Sequence, residues 1–175
     1  MKLAELVPGR SCGTCTLCCK LMKVSELDKP SGTWCKHVVQ GKGCGIYETR
    51  PQSCRAFLCG YLSTESLSDA WYPGRCKIVV SSGERGITAQ IDPSRPDVWR
   101  EKPFYEQSKS WSRVMSPQGR IMLLRIGARA VVILPDADVG MVGHNDAFFL
   151  DIMPGPVGPH YRVRKEAKAV SEVAG

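Results

Sequence analysis

The sequence predicts an α+β chain: a small metal-stabilised, cysteine-rich subdomain followed by a mainly antiparallel sheet with one packed helix. Three observations lead there. All nine cysteines fall in residues 1–76 and none in 77–175. The second stretch carries apolar, β-branched runs separated by glycine-containing turns. Between Pro103 and Ser116 the apolar residues instead recur at helical spacing. Residues 1–76 are therefore read as a cysteine-cluster metal-binding region and residues 77–175 as an α+β region.

The elements follow in chain order. KLMKVSELDKPSGTW reads as the end of a helix and then a loop, with Lys29-Pro30 as a helix-ending pair. The run 50–59 holds Pro51, suited to a helix start, so Cys54 and Cys59 are expected on one helix, about 140° apart. KIVVSS and GITAQI flank Gly83-Glu84-Arg85 and read as a hairpin. Phe104, Gln107, Trp111, Val114 and Met115 mark the apolar face of one helix that begins at Pro103. RIMLLRI and AVVILP face each other across Gly127-Ala128, and AFFLDI is expected to continue the meander after a polar loop. That loop holds Asp136, Asp138, His144 and Asp146 and reads as a solvated turn. The tail YRVRKEAKAVSEVAG reads as a strand and a short helix, with Arg162, Arg164, Lys165 and Lys168 as solvated charge.

Composition narrows the function. With 43% hydrophobic and 23% charged residues in 175, the chain has the makings of a packed core. No apolar run approaches the roughly 20 residues of a membrane span, and the start MKLAELVPGR lacks the apolar stretch of about 7–15 residues of a secretory signal. A cytoplasmic setting with no membrane partner is expected. The net charge of +7 points to an acidic partner only until thiolates are counted. Eight thiolates with two divalent ions together contribute −4 and leave +3. With no basic face interleaved with aromatics, nucleic acid is disfavoured as a partner; the partner is otherwise unknown, and another protein stays open.

The cysteines carry the chemistry. Cys12, Cys15, Cys18 and Cys19 fall within eight residues, followed by Cys35, Cys44, Cys54, Cys59 and Cys76. In a reducing compartment such a cluster points to metal rather than disulfides. Cys18 and Cys19 are adjacent, with Cα atoms about 3.8 Å apart, too close for an ordinary bridge. Sulfurs two residues apart can converge on one ion, as in zinc knuckles and iron–sulfur sites. On a helix Cys12, Cys15 and Cys19 would share a face and Cys18 would turn away, so adjacent cysteines can serve two centres. Cys76, isolated before the first strand, reads as a buried small hydrophobe. His37 reads as a surface or supporting histidine rather than a ligand. Arg50 and Arg55 suit charge compensation beside thiolates, Tyr47 and Phe57 suit core packing, and Gly43 and Gly45 suit a tight turn about Cys44.

CGTCTLCC at 12–19 and GCGIYETRPQSCRAFLCGYL at 43–62 resemble the YkgJ-like cysteine-cluster family, a zinc- or iron-chelating domain with the motif CxxCxxCC. The resemblance implies eight characteristic cysteines, which map onto Cys12, Cys15, Cys18, Cys19, Cys35, Cys44, Cys54 and Cys59 and leave Cys76 outside. Flagellin lysine-N-methylases are similar in the same region, but they are larger than this chain.

Zinc is favoured as the metal, because eight thiolates divide evenly into two closed tetrahedral sites. The ferredoxin run would need a cysteine where Met22 stands, although a remote ligand would still allow an iron–sulfur cluster. No P-loop, dinucleotide fingerprint or HExxH is present. The leading expectation is a cytoplasmic metal-binding protein with a cysteine-thiolate cluster, two zinc ions, and a scaffold or interaction surface in its second half. Two alternatives stay open: an iron–sulfur protein with redox or group-transfer chemistry related to protein methylation, and a zinc-dependent nucleic-acid binder.

Overall fold

The computed structural model describes residues 5–142 and 147–166. The cysteine region is built of short pieces: α1 (Leu17–Leu21), a two-stranded ribbon of β1 (Val38–Val39) and β2 (Gly43–Cys44), then α2 (Gln52–Ala56), α3 (Gly60–Ser63) and α4 (Pro73–Cys76). Isolated helices this short are not stable in water, so each depends on what it packs against. The helix expected ahead of Lys29-Pro30 is α1, and it ends at Leu21, well before that pair. Lys29 instead bridges back to Val24.

The α+β expectation for the second region is met. A hairpin of β3 (Ile78–Gly83) and β4 (Gly86–Ile91) leads through α5 (Phe104–Met115) to β5 (Ile121–Ile126), β6 (Arg129–Ile133) and β7 (Asp138–Val142), giving one sheet in the order β3-β4-β5-β6-β7. Only β4 and β5 run parallel, because α5 carries the chain back along the sheet before β5 starts. A separate antiparallel pair, β8 (Ala147–Met153) and β9 (His160–Glu166), follows.

Three expectations are corrected. AFFLDI is a strand, but it pairs with β9 rather than continuing the meander. The next strand after β6 is β7, inside the stretch read as a turn. Val139 and Met141 pack inward there, while Gly140 and the flanking acids hide the alternation in the sequence. Asp138 accepts hydrogen bonds from Tyr105 Oη and Lys109 Nζ, each at 2.9 Å, and His144 and Asp146 lie outside the described residues. On α5 the buried stripe is Phe104, Ser108, Ser112 and Met115, while Val114 is 65% exposed. Small serines let the helix lie close on the sheet, and the Ser112 hydroxyl donates to Ile133 O at 2.7 Å. The helix expected in the tail falls at residues outside the description.

One face of the sheet packs on α5 through Ile78, Val80, Ile91, Met122, Leu124 and Ile133. Val79, on the opposite face of β3, is buried by Leu17, Leu21 and Leu62 of the cysteine region. Leu67, Trp71 and Cys76 join the α5-side core. An ion pair adds a second tie: Lys20 Nζ lies 2.8 Å from Asp92 Oδ1 and 3.0 Å from Oδ2. No helix among the described residues is long and apolar enough to cross a membrane.

Burial by itself would push the Asp92 carboxyl up, but the Lys20 ammonium and the Ser94 backbone N–H outweigh it and hold the group below its ordinary value. Asp92 therefore contributes stability above the unfolded carboxylate value of about 3.9, and that contribution is lost as pH falls through the depressed folded value. Asp92→Asn should cost about 1–3 kcal/mol at neutral pH. In urea denaturation the gap between wild type and variant should close as the medium is acidified below about pH 4; a gap independent of pH would contradict this account of the pair.

Candidate metal centre

Leu17 and Leu21 fix how α1 presents its cysteines. Both are buried against Val79, and at about 100° per residue Cys18 lies on the flank of that apolar stripe while Cys19 lies opposite it. Cys12 and Cys15 precede the helix in a tight turn, with Cys15 N–H donating to Cys12 O at 2.8 Å; the single helical run from Cys12 to Cys19 does not form. Cys54 sits on α2, whereas Cys59 lies beyond its end and leads into α3. The two thiols diverge because the chain breaks at Phe57, not because one helix rotates them apart.

Cys12, Cys15, Cys18 and Cys59 line one small pocket of about 20 Å³, walled by Tyr61, Leu62, Tyr72, Pro73 and Val79. Burial pushes the Cys12, Cys15 and Cys59 thiols up, and neighbouring thiols add to the rise in each. Arg50 opposes it at Cys12. Cys76 lies buried nearby, its thiol pushed up to about 11 by burial and donating to Ile78 O at 3.5 Å; it is a core residue, as expected.

Cys54 is linked electrostatically to the other three thiols, Cys19, Cys35 and Cys44. Cys54 is raised by burial and then by Cys19, Cys35 and Cys44. Cys35 N–H donates to Cys19 O at 3.0 Å, and Cys44 lies in β2, paired with Val38 of β1. Gly43 has φ +111, and a Cβ there would stand 3.0 Å from Gly13 O, so the Cys12–Cys15 turn packs directly on the Cys44 ribbon. A glycine is required at that contact.

The adjacent thiols of Cys18 and Cys19 are coupled, and that coupling is the main reason Cys18 is pushed up and Cys19 down. Lys29 strengthens the asymmetry, since it helps lower Cys19. In the sequence this lysine reads only as half of the Lys29-Pro30 pair. It is 5% exposed, and its ammonium donates to the carbonyls of Lys20, Met22 and Pro30. Burial pulls its own value down, against the pull of Cys35, Cys19, Cys18 and Cys54. It thus brings a fixed positive charge into the thiol neighbourhood while holding the end of α1.

The other sequence-named residues are placed as follows. Tyr47 is 45% exposed, not core packing; the Arg50 guanidinium stacks on its ring at 3.7 Å and donates to its carbonyl. Phe57 packs partly buried against Leu17, Leu21 and Leu62. Arg55 donates to Arg50 O at 2.8 Å. His37 joins the site through its carbonyl, which accepts from Gly45 N–H at 2.8 Å. Arg164 of β9 pairs with Asp151 and Glu166, and Lys168 lies outside the described residues.

All nine thiols are free. Among the described residues no group of three or more His, Cys, Asp or Glu side chains is placed so that it could hold a metal ion. The donor set nonetheless suits a thiophilic metal: four soft sulfurs share a pocket about the size of one water or ion. No protein-family model matches the chain, and no curated protein or solved structure matches it.

In metal-free protein at neutral pH, limited iodoacetamide treatment followed by peptide mapping should find the first adduct on Cys19, since the thiolate is the nucleophile. Cys18→Ala removes the coupled neighbour and should slow that labelling. Cys76 should stay unmodified until the protein unfolds. First labelling at Cys18, or equal labelling of all nine, would refute the asymmetry.

Proposed function

We propose that this chain is a cytoplasmic metal-binding protein of the YkgJ-like kind, holding two zinc ions in two separate thiolate sites. Cys12, Cys15, Cys18 and Cys59 would hold one ion, and Cys19, Cys35, Cys44 and Cys54 the other. The supporting observation is the shared pocket of the first four thiols, while Cys54 feels the charge of Cys19, Cys35 and Cys44. Structural zinc supplies about 10–16 kcal/mol of apparent binding energy that is also folding energy. The cysteine region needs such a source, because its own buried apolar residues are few and one of the five in its small core, Val79, is borrowed from β3. Lys29 and Arg50 offset part of the negative charge that each set of four thiolates carries. Thiols held above their ordinary value must give up protons to the metal, so apparent affinity falls steeply as pH falls.

Elemental analysis of untagged protein should return two zinc equivalents per chain. Cys59→Ser and Cys44→Ser should each lose one equivalent, and Cys76→Ser should lose none. A double variant, Cys59→Ser with Cys12→Ser, should lose no more than Cys59→Ser alone, because both residues belong to one site. Folded protein with less than a tenth of an equivalent would sink the proposal. Iron with labile sulfide and visible charge-transfer absorption would replace zinc by an iron–sulfur cluster in the same cysteines.

Chelation should also show which parts depend on the metal. Hydrogen exchange should rise across residues 12–62 and next in β3, whose Val79 loses its cover. It should change least in β5 and β6, buried between α5 and the β8–β9 pair. Unchanged exchange across 12–62 would mean that the thiols do not hold that region.

A further inference from the structure

The sheet carries a second feature that the cysteines do not use. On the face away from α5, cross-strand register aligns Ser81 with Thr88 and Thr88 with Leu123; the next row is Gly83, Gly86 and Ile121. Residues two apart on a strand share a face, so both rows look the same way. Small side chains on β3 and β4 leave a depression there, and Ala147 and Phe148 of β8 wall it on one side. The result is a half-open cleft of about 510 Å³, within the roughly 300–1,000 Å³ of small-molecule sites.

The lining is uneven in polarity. Ile121, Leu123 and Phe148 give an apolar floor and wall, and Ser81 and Thr88 put hydroxyls beside it. Two guanidiniums border the cleft: Arg85 from the β3–β4 turn, 5.9 Å from the Phe149 ring, and Arg125 from β5, 5.6 Å from the Phe148 ring. Arg85 makes no ion pair among the described residues. Glu84 is the only carboxylate among the described lining residues. Arg120 holds the turn in place by donating to the carbonyls of Glu84 and Gly83, at 3.2 and 3.1 Å.

We propose that this cleft binds a small organic anion, a carboxylate or phosphate ester carried on a flat apolar body. The guanidinium of Arg85 suits a planar or tetrahedral anion through paired N–H donors. The Ser81 and Thr88 hydroxyls complete the polar end, and the body lies over Leu123 against Phe148. A bare inorganic anion would leave the apolar floor unused, and an uncharged aromatic would leave Arg85 unanswered.

The test is an NMR titration of the isotopically labelled full chain with phenyl phosphate and benzoate, alongside inorganic phosphate and benzyl alcohol. Saturable amide shifts confined to residues 81–88, 121–125 and 147–148 are expected with phenyl phosphate or benzoate. Inorganic phosphate and benzyl alcohol should each bind at least about tenfold more weakly, since each lacks half of the contacts. Arg85 is exposed, so Arg85→Ala keeps the fold and should weaken binding about tenfold. Gly83→Leu places its Cβ where nothing lies within 4 Å and should fill the cleft and abolish binding. Zinc content should be unchanged in both variants, which separates this result from that of the metal sites. Absence of saturable shifts with both aromatic anions, shifts unweakened by Arg85→Ala, or inorganic phosphate binding as tightly as phenyl phosphate would overturn the proposal.

Discussion

Val79 is the residue on which the first half of the chain depends. β3 is an edge strand of its sheet, yet Ile78, Val79 and Val80 are all buried. An edge strand buried on both faces needs a cover supplied from elsewhere in the chain. The cover over Val79 is Leu17 and Leu21 of α1 with Leu62 of α3. Once those two leucines face the sheet, helical geometry leaves Cys18 beside the buried stripe and Cys19 on the opposite side. Cys59, just ahead of α3, is carried to the same buried edge. A packing requirement of the sheet thus sets Cys18 and Cys19 on different sides of α1 and brings Cys59 to the buried one.

The charge arrangement follows from the same sorting. Burial raises Cys15 and Cys59 beside the sheet and Cys54 away from it, while Cys19 is lowered by its coupling to Cys18 and by Lys29. Lys29 is tolerated in a buried position because three carbonyls accept from it, two of them, Lys20 and Met22, at the end of α1, where a cation is favoured. A hydrophobic residue there would pack equally well but would leave those carbonyls unmet and remove a positive charge from a neighbourhood rich in thiols. One side chain therefore ends a helix and counters the sulfur charge together.

Much of this was legible in the sequence where a pattern is local. The β3–β4 hairpin, the β5–β6 hairpin and α5 announce themselves through periodicity and glycine turns, and the eight cysteines through spacing. What stayed hidden depends on contacts between distant residues. Ser108 and Ser112 look like a polar face until the sheet arrives close enough to bury them and Ile133 O accepts from Ser112. β7 is broken as a pattern by Gly140 and is a strand because β6 offers it an edge. The split of the thiols could not be read from CxxCxxCC either, since Cys12 and Cys15 lie in a turn and the dividing face of α1 is set by Val79, sixty residues downstream of Cys19.

The same sheet face explains why an open cleft remains. Cover over the first residues of β3 comes from the cysteine region and cover over β5 and β6 from Phe148 and its neighbours on the β8–β9 pair. Two covers that arise from opposite ends of the sequence meet over β3 and β4 only if large side chains fill the strip between them. Ser81, Gly83, Gly86 and Thr88 are all small. Gly86 has its own backbone reason, with φ +126 and a Cβ position 2.0 Å from Ile121 O, where any side chain would collide with β5. Gly83 has no such constraint, because a Cβ there meets open space. Packing alone therefore leaves room at Gly83 for a larger residue, and filling the strip would bury apolar area and stabilise the sheet. Among the described residues the strip is unfilled and its bordering Arg85 guanidinium has no ion pair, the arrangement expected where the missing volume is supplied by a ligand.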